Sequence, residues 1–519
     1  MTHPFAPARS AAARRSLPVA ALTAGVALAA LGCDPPYYDD PRDAAVDTQV
    51  IDTVPIDTPR DTPQGDCPAF GTPTQPSLVV TDPAVLARFS FARVMSQIRA
   101  TADVASTQTD RATFQAWMRT FGATSGSGDC DDPTIDPEHF GLQCPRQPEL
   151  KLASVDPFPA ISSVQFIPLG LFNRFDLAPA DGANCGEYRI IFGMSSQTPA
   201  IAGRALIIFE GILANPNPAA GIDACLPVAQ FWRSLASERN PDLVAARLER
   251  FYFTGSEIAG FPPVVAAQSY GLARGLSATH GAGQIRTNFF IDSIEWQLRE
   301  FKLRRTCTDS ADASTCRLVF EHVPVKANPG DELFAGGHRQ SPSFQSQFVA
   351  QVPRLLGTNV NALSIAPAEQ FDEYESVSSR AEVLYDRVTE GSFRAAIANR
   401  LGALASFLTP TDVLNRASTQ TCAGCHQQTN NLPLGGGMVW PPSLEFTHID
   451  ENLRLSPALT QQFLPHRQRV LENFINARCG APTARTTATP DPDLLDADAV
   501  RALAADARTI GGSAVGAAN

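Results

Sequence analysis

Apolar positions along this chain fall first at helical spacing, then at strand spacing, then at helical spacing again. Val85, Leu86, Phe89, Val94, Met95 and Ile98 share one face, and Phe114, Trp117, Met118 and Phe121 repeat the pattern behind Asp110, the expected N-cap. From about residue 163 to 325 short β-rich runs dominate: Val164-Gln165-Phe166-Ile167, Tyr188-Arg189-Ile190-Ile191-Phe192 and Ala205-Leu206-Ile207-Ile208-Phe209. Helices are expected to interrupt them over 227–238 and 241–252. Runs over 285–304 and 317–325 flank Cys307 and Cys316, which reads as a hairpin stapled at the base of its loop. Beyond Pro342, Phe344, Phe348, Val352 and Leu355 return to one helical face. Ser379-Arg380-Ala381-Glu382 has the form of a capping box, and Ser392 is placed to cap a helix bearing Phe393, Ile397, Leu401, Leu404 and Leu408. Thr409-Pro410 opens a short helix over 411–416. Ser456-Pro457 begins the last helical stretch, broken or kinked at Pro465 and ending at Cys479-Gly480.

The two ends follow different rules. Residues 1–33 read as a targeting segment, with Arg9, Arg14 and Arg15 ahead of an apolar stretch over 17–31 that is too short to span a bilayer. Ala30-Leu31-Gly32-Cys33 resembles the lipobox of bacterial lipoproteins, which implies that Cys33 becomes the lipid-bearing first residue. Ala30 stands where that pattern prefers leucine, and ordinary cleavage would leave Cys33 a plain thiol. Residues 34–67 form an Asp, Pro and Thr-rich tether that cannot bury enough apolar surface to fold. Up to Asp66 it holds nine aspartates against Arg42 and Arg60, or −7 of the chain's net −12. The remainder is only mildly acidic and shows no basic patch, which argues against nucleic acid as a partner. Residues 481–519 read as a flexible tail.

Cysteines change the picture most. Of eleven, Cys33 is assigned to lipid and Cys422 and Cys425 to a motif, leaving Cys67, Cys130, Cys144, Cys185, Cys225, Cys307, Cys316 and Cys479. An even set in an exported chain reads as up to four disulfides. The motif is Cys422-Ala423-Gly424-Cys425-His426, the attachment signature of a c-type haem. Two thiols add to the porphyrin vinyl groups, and the next imidazole lies under the ring as proximal ligand. A redox disulfide between Cys422 and Cys425 remains an alternative, as does half of a zinc site, although no second C-x-x-C stands near. For the other axial position His448, in Phe446-Thr447-His448-Ile449, is preferred, with Met438 as the alternative beyond the Gly435-Gly436-Gly437 turn.

Elsewhere the chemistry is sparse. There is no G-x-S-x-G, H-E-x-x-H, P-loop or dinucleotide fingerprint. Arg174, Asp176, Glu187 and Arg189 mix with apolar residues and read either as a site lining or as ion pairs organising a sheet. His280 sits in a glycine-rich turn. The acids around Cys130 and Cys144 lack EF-hand spacing.

Cys422 to His426 resembles monohaem cytochrome c domains. Together with Leu434-Gly-Gly-Gly437, Trp440-Pro441, Phe446-Thr-His448, Asn173-Arg-Phe-Asp-Leu-Ala-Pro179 and Cys185-Gly-Glu-Tyr-Arg189, it also resembles a group of large uncharacterised bacterial lipoproteins. The resemblance implies one haem c per chain and no known reaction. The expected fold class is α+β: a disulfide-stapled domain of helices and antiparallel sheet over 68–370, then an all-α cytochrome c-like haem domain over 371–480. The expected function is one-electron transfer in the cell envelope, anchored by lipid at a membrane face, with a redox partner protein. Alternatives are a haem-dependent oxidoreductase acting on a small molecule, or a surface lipoprotein with a structural haem.

Overall fold

The computed structural model describes residues 67, 77–122, 146–273, 281–291, 296–323, 325, 328–368, 370–371, 378–379 and 383–479. All of them belong to one compact unit, Pro63–Asn519. Cys33, Cys130, Cys144 and His280 lie outside the described residues, as do 34–66 of the tether and the tail.

An antiparallel sheet runs in sequence order: β1 (Val79–Val80), β2 (Val164–Arg174), β3 (Asn184–Ser196), β4 (Gly203–Ala214), β5 (Gln284–Ile291), β6 (Gln297–Cys307) and β7 (Cys316–Val323). A two-residue β8 (Ser378–Ser379) pairs with Gln297 and Leu298, at the end of β6 that β7 leaves unpaired. The α+β class is therefore present. The expected run over 285–304 is two strands, not one. Ser379 pairs in the sheet rather than capping a helix, because a free edge of β6 competes for its backbone groups.

Strand alternation gives the sheet two unlike faces. One carries Ile190, Phe192, Ile207, Phe209, Ile285, Phe289, Phe301 and Leu303 into the largest core. Helices α1 (Phe91–Ala100), α2 (Asp110–Arg119), α3 (Leu226–Leu235) and α4 (Pro241–Glu249) supply apolar residues to the same core. Thr109, not Asp110, caps α2, since its hydroxyl accepts from the Ala112 amide. The opposite face is half apolar and half charged, and it is the floor of the site.

The helical part comprises α5 (Ser341–Gln351), α6 (Gly391–Ala403), α7 (Pro410–Ser418) and α8 (Leu464–Cys479). Thr409 and Asp412 form a reciprocal capping box on α7. No side chain caps α6; Ser392 lies one residue inside it. The last helical stretch starts at Pro457, as expected, runs as a π-helix over Ala458–Phe463 and passes without a gap into α8 at Leu464, so the change of hydrogen-bond ladder falls at the expected Pro465, whose missing N–H interrupts it. Leu471 and Ile475 of α8 enter the large sheet core, and Cys479 is bonded to Cys67. Cys185–Cys225 and the expected Cys307–Cys316 bond complete the disulfides among described residues, the latter joining directly opposed strand positions. No helix among the described residues is long and apolar enough to cross a membrane.

Candidate functional site

The end of α7 leads straight into the C-x-x-C-H motif. Thr421 ties this turn together: its hydroxyl donates to the Ser418 carbonyl and accepts from the Gly424 amide. Gly424 is required here, because a Cβ on it would lie 1.8 Å from the Ser418 carbonyl oxygen. The Cys422 amide donates to Asn328 Oδ1 at 2.8 Å. Cys422 and Cys425 are both thiols outside any disulfide, so the alternative of a bond between them is not the state seen.

His426 is held by a distant part of the chain. Its Nδ1 lies 3.0 Å from the Phe446 carbonyl oxygen, which also accepts from Asn288 Nδ2 at 2.8 Å. A carbonyl can only accept, so Nδ1 carries the proton and Nε2 is left with a bare lone pair. Glu445 and Phe446 both adopt left-handed backbone (φ 49° and 63°), an unfavourable conformation for large side chains. The Phe446 ring stacks on Trp296 with centroids 4.6 Å apart, and Trp296 Nε1 donates to Asn288 Oδ1. The strained turn is thus clamped from both sides. It aims one carbonyl at one imidazole.

His448, two residues on, faces the same space. Its Nε2 is 3.4 Å from Cys425 Sγ, its Nδ1 is 2.8 Å from Ser456 Oγ, and its ring centre is 4.8 Å from that of His426. At 4.8 Å the rings stand closer than the roughly 6 Å that two imidazoles on one metal ion need, from metal–nitrogen bonds of about 2 Å, so both serve one ion only if they part by about 1 Å. Burial pushes the His426 pKa down to about 4 and that of His448 well below the ordinary value, so both rings are neutral and able to ligate. Burial pushes the Cys425 thiol up to about 11.

Cys422, Cys425, His426 and His448 line one cavity of about 250 Å³. Its floor is the second sheet face. Phe172, Ile191, Leu206, Ile208 and Leu298 supply the apolar part. Across them runs a charged ladder set by strand register: Arg174 opposite Glu187, Arg189 opposite Glu210, and Arg286 opposite Glu300. Glu210, fully buried, accepts from Gln284 at 2.8 Å and pairs with Arg189 at 3.1 Å and Arg286 at 3.4 Å. Burial alone would raise its pKa, yet the two guanidiniums hold it below the usual carboxylate range. Arg467, in the first turns of α8, closes one side.

Arg174, Asp176, Glu187 and Arg189 therefore do both things the sequence allowed: Arg174 pairs with Asp176 and Arg189 with Glu187 two residues away along the chain, Arg189 also pairs across the sheet with Glu210, and the two arginines face the cavity. Met438 does not line it, packing instead against the helical core around Trp440. Asn288, Trp296, Glu210, Arg286, Ser456 and Arg467 were not legible as site residues. The available signal was a charged or amide residue at a buried position of an alternating strand, such as Glu210 after Phe209 or Arg286 after Ile285. A larger groove of about 860 Å³ lies between residues 77–83 and the start of α8, but its wall has no histidine or cysteine.

The residues fit a covalently attached haem in kind. Two thiols outside any disulfide and an imidazole with a bare nitrogen share a cavity lined by apolar side chains and four arginines. Among the described residues no group of three or more His, Cys, Asp or Glu side chains is placed to hold a metal ion by itself. No protein family, curated protein or solved structure matches the chain.

Proposed function

We propose that this protein is a lipid-anchored, extracytoplasmic monohaem c-type cytochrome that transfers single electrons to and from a partner protein. The observation behind the reading is that Cys422, Cys425, His426 and His448 all line one half-open cavity, with the His426 Nε2 lone pair free. Cys422 and Cys425 would hold the group covalently, with His426 as one axial ligand and His448 as the other. When bound, the haem iron supplies a one-electron Fe(II)/Fe(III) couple. The chain's own part is positional. The Phe446 carbonyl fixes the His426 tautomer and makes the ring a stronger donor. The sheet floor excludes water from one side. In place of a free-standing cytochrome domain, the haem-bearing helical segment of this reading is built onto the sheet through α8 and the 446–449 turn.

The test is the absorption spectrum of the purified protein, oxidised and reduced, together with haem staining after denaturation. One covalent haem per chain is expected, lost when Cys422 and Cys425 are both changed to Ala. A colourless protein from a host that attaches haem would sink the reading. The anchor is tested separately: Cys33→Ser should release the protein from membranes or leave an uncut precursor.

A further inference from the structure

The cavity wall is more cationic than thiol and imidazole chemistry requires. Five charged side chains line it, Arg174, Arg189, Arg286, Arg467 and Glu210, four of them guanidiniums. Three of these arginines are well served from behind the wall. Arg174 is bidentate to Asp176 at 3.0 and 2.9 Å, Arg189 meets Glu187 at 2.5 Å, and Arg286 meets Glu300 at 2.8 Å.

Arg467 is the exception. Its ion pair among the described residues is a 3.7 Å approach to Asp176 Oδ2, the oxygen already engaged by Arg174. Its side chain is only 13% exposed. Burial, and then the Arg174 charge, push its pKa down to about 9. Its other contact among the described residues is the Phe463 ring, 5.6 Å from the guanidinium carbon, so this half-buried cation has donors to spare for an anion. Its five donors are arranged to receive a planar anion through two parallel hydrogen bonds.

We propose that Arg467, supported by Arg174, is a carboxylate-binding subsite of this cavity. The apolar floor of Phe172, Ile191, Leu206 and Ile208 selects an acid with a broad, flat apolar body, and a small hydrated oxyanion is a poor match to it. Two sources have this chemistry. One is the propionate of a tetrapyrrole held by the neighbouring cysteines, which rests on the haem reading. The other is a free aromatic or aliphatic acid, which does not.

The experiment has two arms. In the haem-loaded full chain, Arg467→Leu removes a positive charge beside a bound carboxylate and should lower the iron's midpoint potential, with Arg467→Lys restoring most of it. In the full chain with Cys422→Ala and Cys425→Ala, which carries no covalent group, benzoate followed by calorimetry should bind saturably. There Arg467→Leu should weaken binding about tenfold or more, and Arg467→Lys should weaken it less. Far-UV dichroism and Tm establish that each variant is folded. A shift that grows with rising pH in Arg467→Leu but not in the wild type, as the unpaired carboxyl titrates, assigns the propionate, and Arg467-dependent binding in the second arm assigns a free acid. An unchanged potential together with no Arg467-dependent benzoate binding overturns the subsite, even if haem is present. If the wild-type chain holds no haem, the benzoate arm alone decides and is run on it.

Discussion

The Sγ of Cys425 lies 3.4 Å from Nε2 of His448, across 23 residues of sequence. A cysteine beside a histidine can be an activated nucleophile, but this pair has the opposite electrostatics. A nucleophilic cysteine needs its thiolate stabilised. Here burial pushes the thiol up to about 11 and keeps the imidazole neutral. The contact instead brings the second cysteine of the motif against the histidine expected on the other side of the iron.

His448, rather than Met438, is expected to complete the coordination. His448→Ala should leave the haem attached yet five-coordinate, visible as new CO binding by the reduced protein. His448→Met should raise the midpoint potential, as methionine ligation does. Met438→Ala should change neither, since Met438 packs away from the cavity. CO binding gained in Met438→Ala but not in His448→Ala would reverse the assignment.

The haem-free chain should be acid-sensitive in a defined window. His426 has a folded pKa depressed to about 4 by burial, against 6.5 for the ordinary imidazole. Below pH 6.5 the unfolded chain takes up a proton that the folded chain resists. Stability therefore falls as pH drops from about 6.5 to 4, and it is fully present above 6.5. The loss from this residue is about 2 kcal/mol, allowing for its partly exposed edge. Urea titrations of the Cys422→Ala, Cys425→Ala chain at pH 7.5 and 4.5 measure it, and His426→Phe should remove this share of the dependence, His448, also depressed by burial, supplying the rest.

The ladder on the sheet floor should be intolerant of losing its central acid. Glu210→Leu leaves Arg189 and Arg286 with Glu187 and Glu300 as their remaining carboxylate partners and should destabilise by about 1–3 kcal/mol. Glu210→Gln, which keeps the shape and one acceptor, should cost less. Chemical denaturation compares them. Equal effects from the two would mean that charge is not what Glu210 contributes.

Cys67–Cys479 ties the N-terminal edge of the unit to the end of α8 across 412 residues. Such a cross-link removes much freedom from the unfolded chain, and Cys479→Ser should lower stability by about 3–5 kcal/mol. Cys316→Ser, opening a loop whose ends are nine residues apart, should cost less, about 2–3 kcal/mol. Midpoints of unfolding under non-reducing conditions rank the two.

Local spacing was enough for whatever depends on neighbours in sequence. The motif from Cys422 to His426, the cap at Thr409 and the Cys307–Cys316 staple each involve residues within one turn or one hairpin. The short β-rich runs ending at Phe192 and Phe209 likewise declared strands, because β-branched and aromatic composition between border residues is a local property. What surrounds the motif was decided only by the tertiary fold. Arg286 and Glu210 come from separate strands, Arg467 from the last helix and the Phe446 carbonyl from a strained turn, and no sequence period links them. Ser379 was misread for the same reason: a capping pattern lost to an unpaired strand edge that only the assembled sheet creates. Sequence by itself determined which atoms could bind a haem. The folded sheet decided that those atoms would face a half-buried row of arginines, because register across five strands, not proximity along one, sets which charges meet.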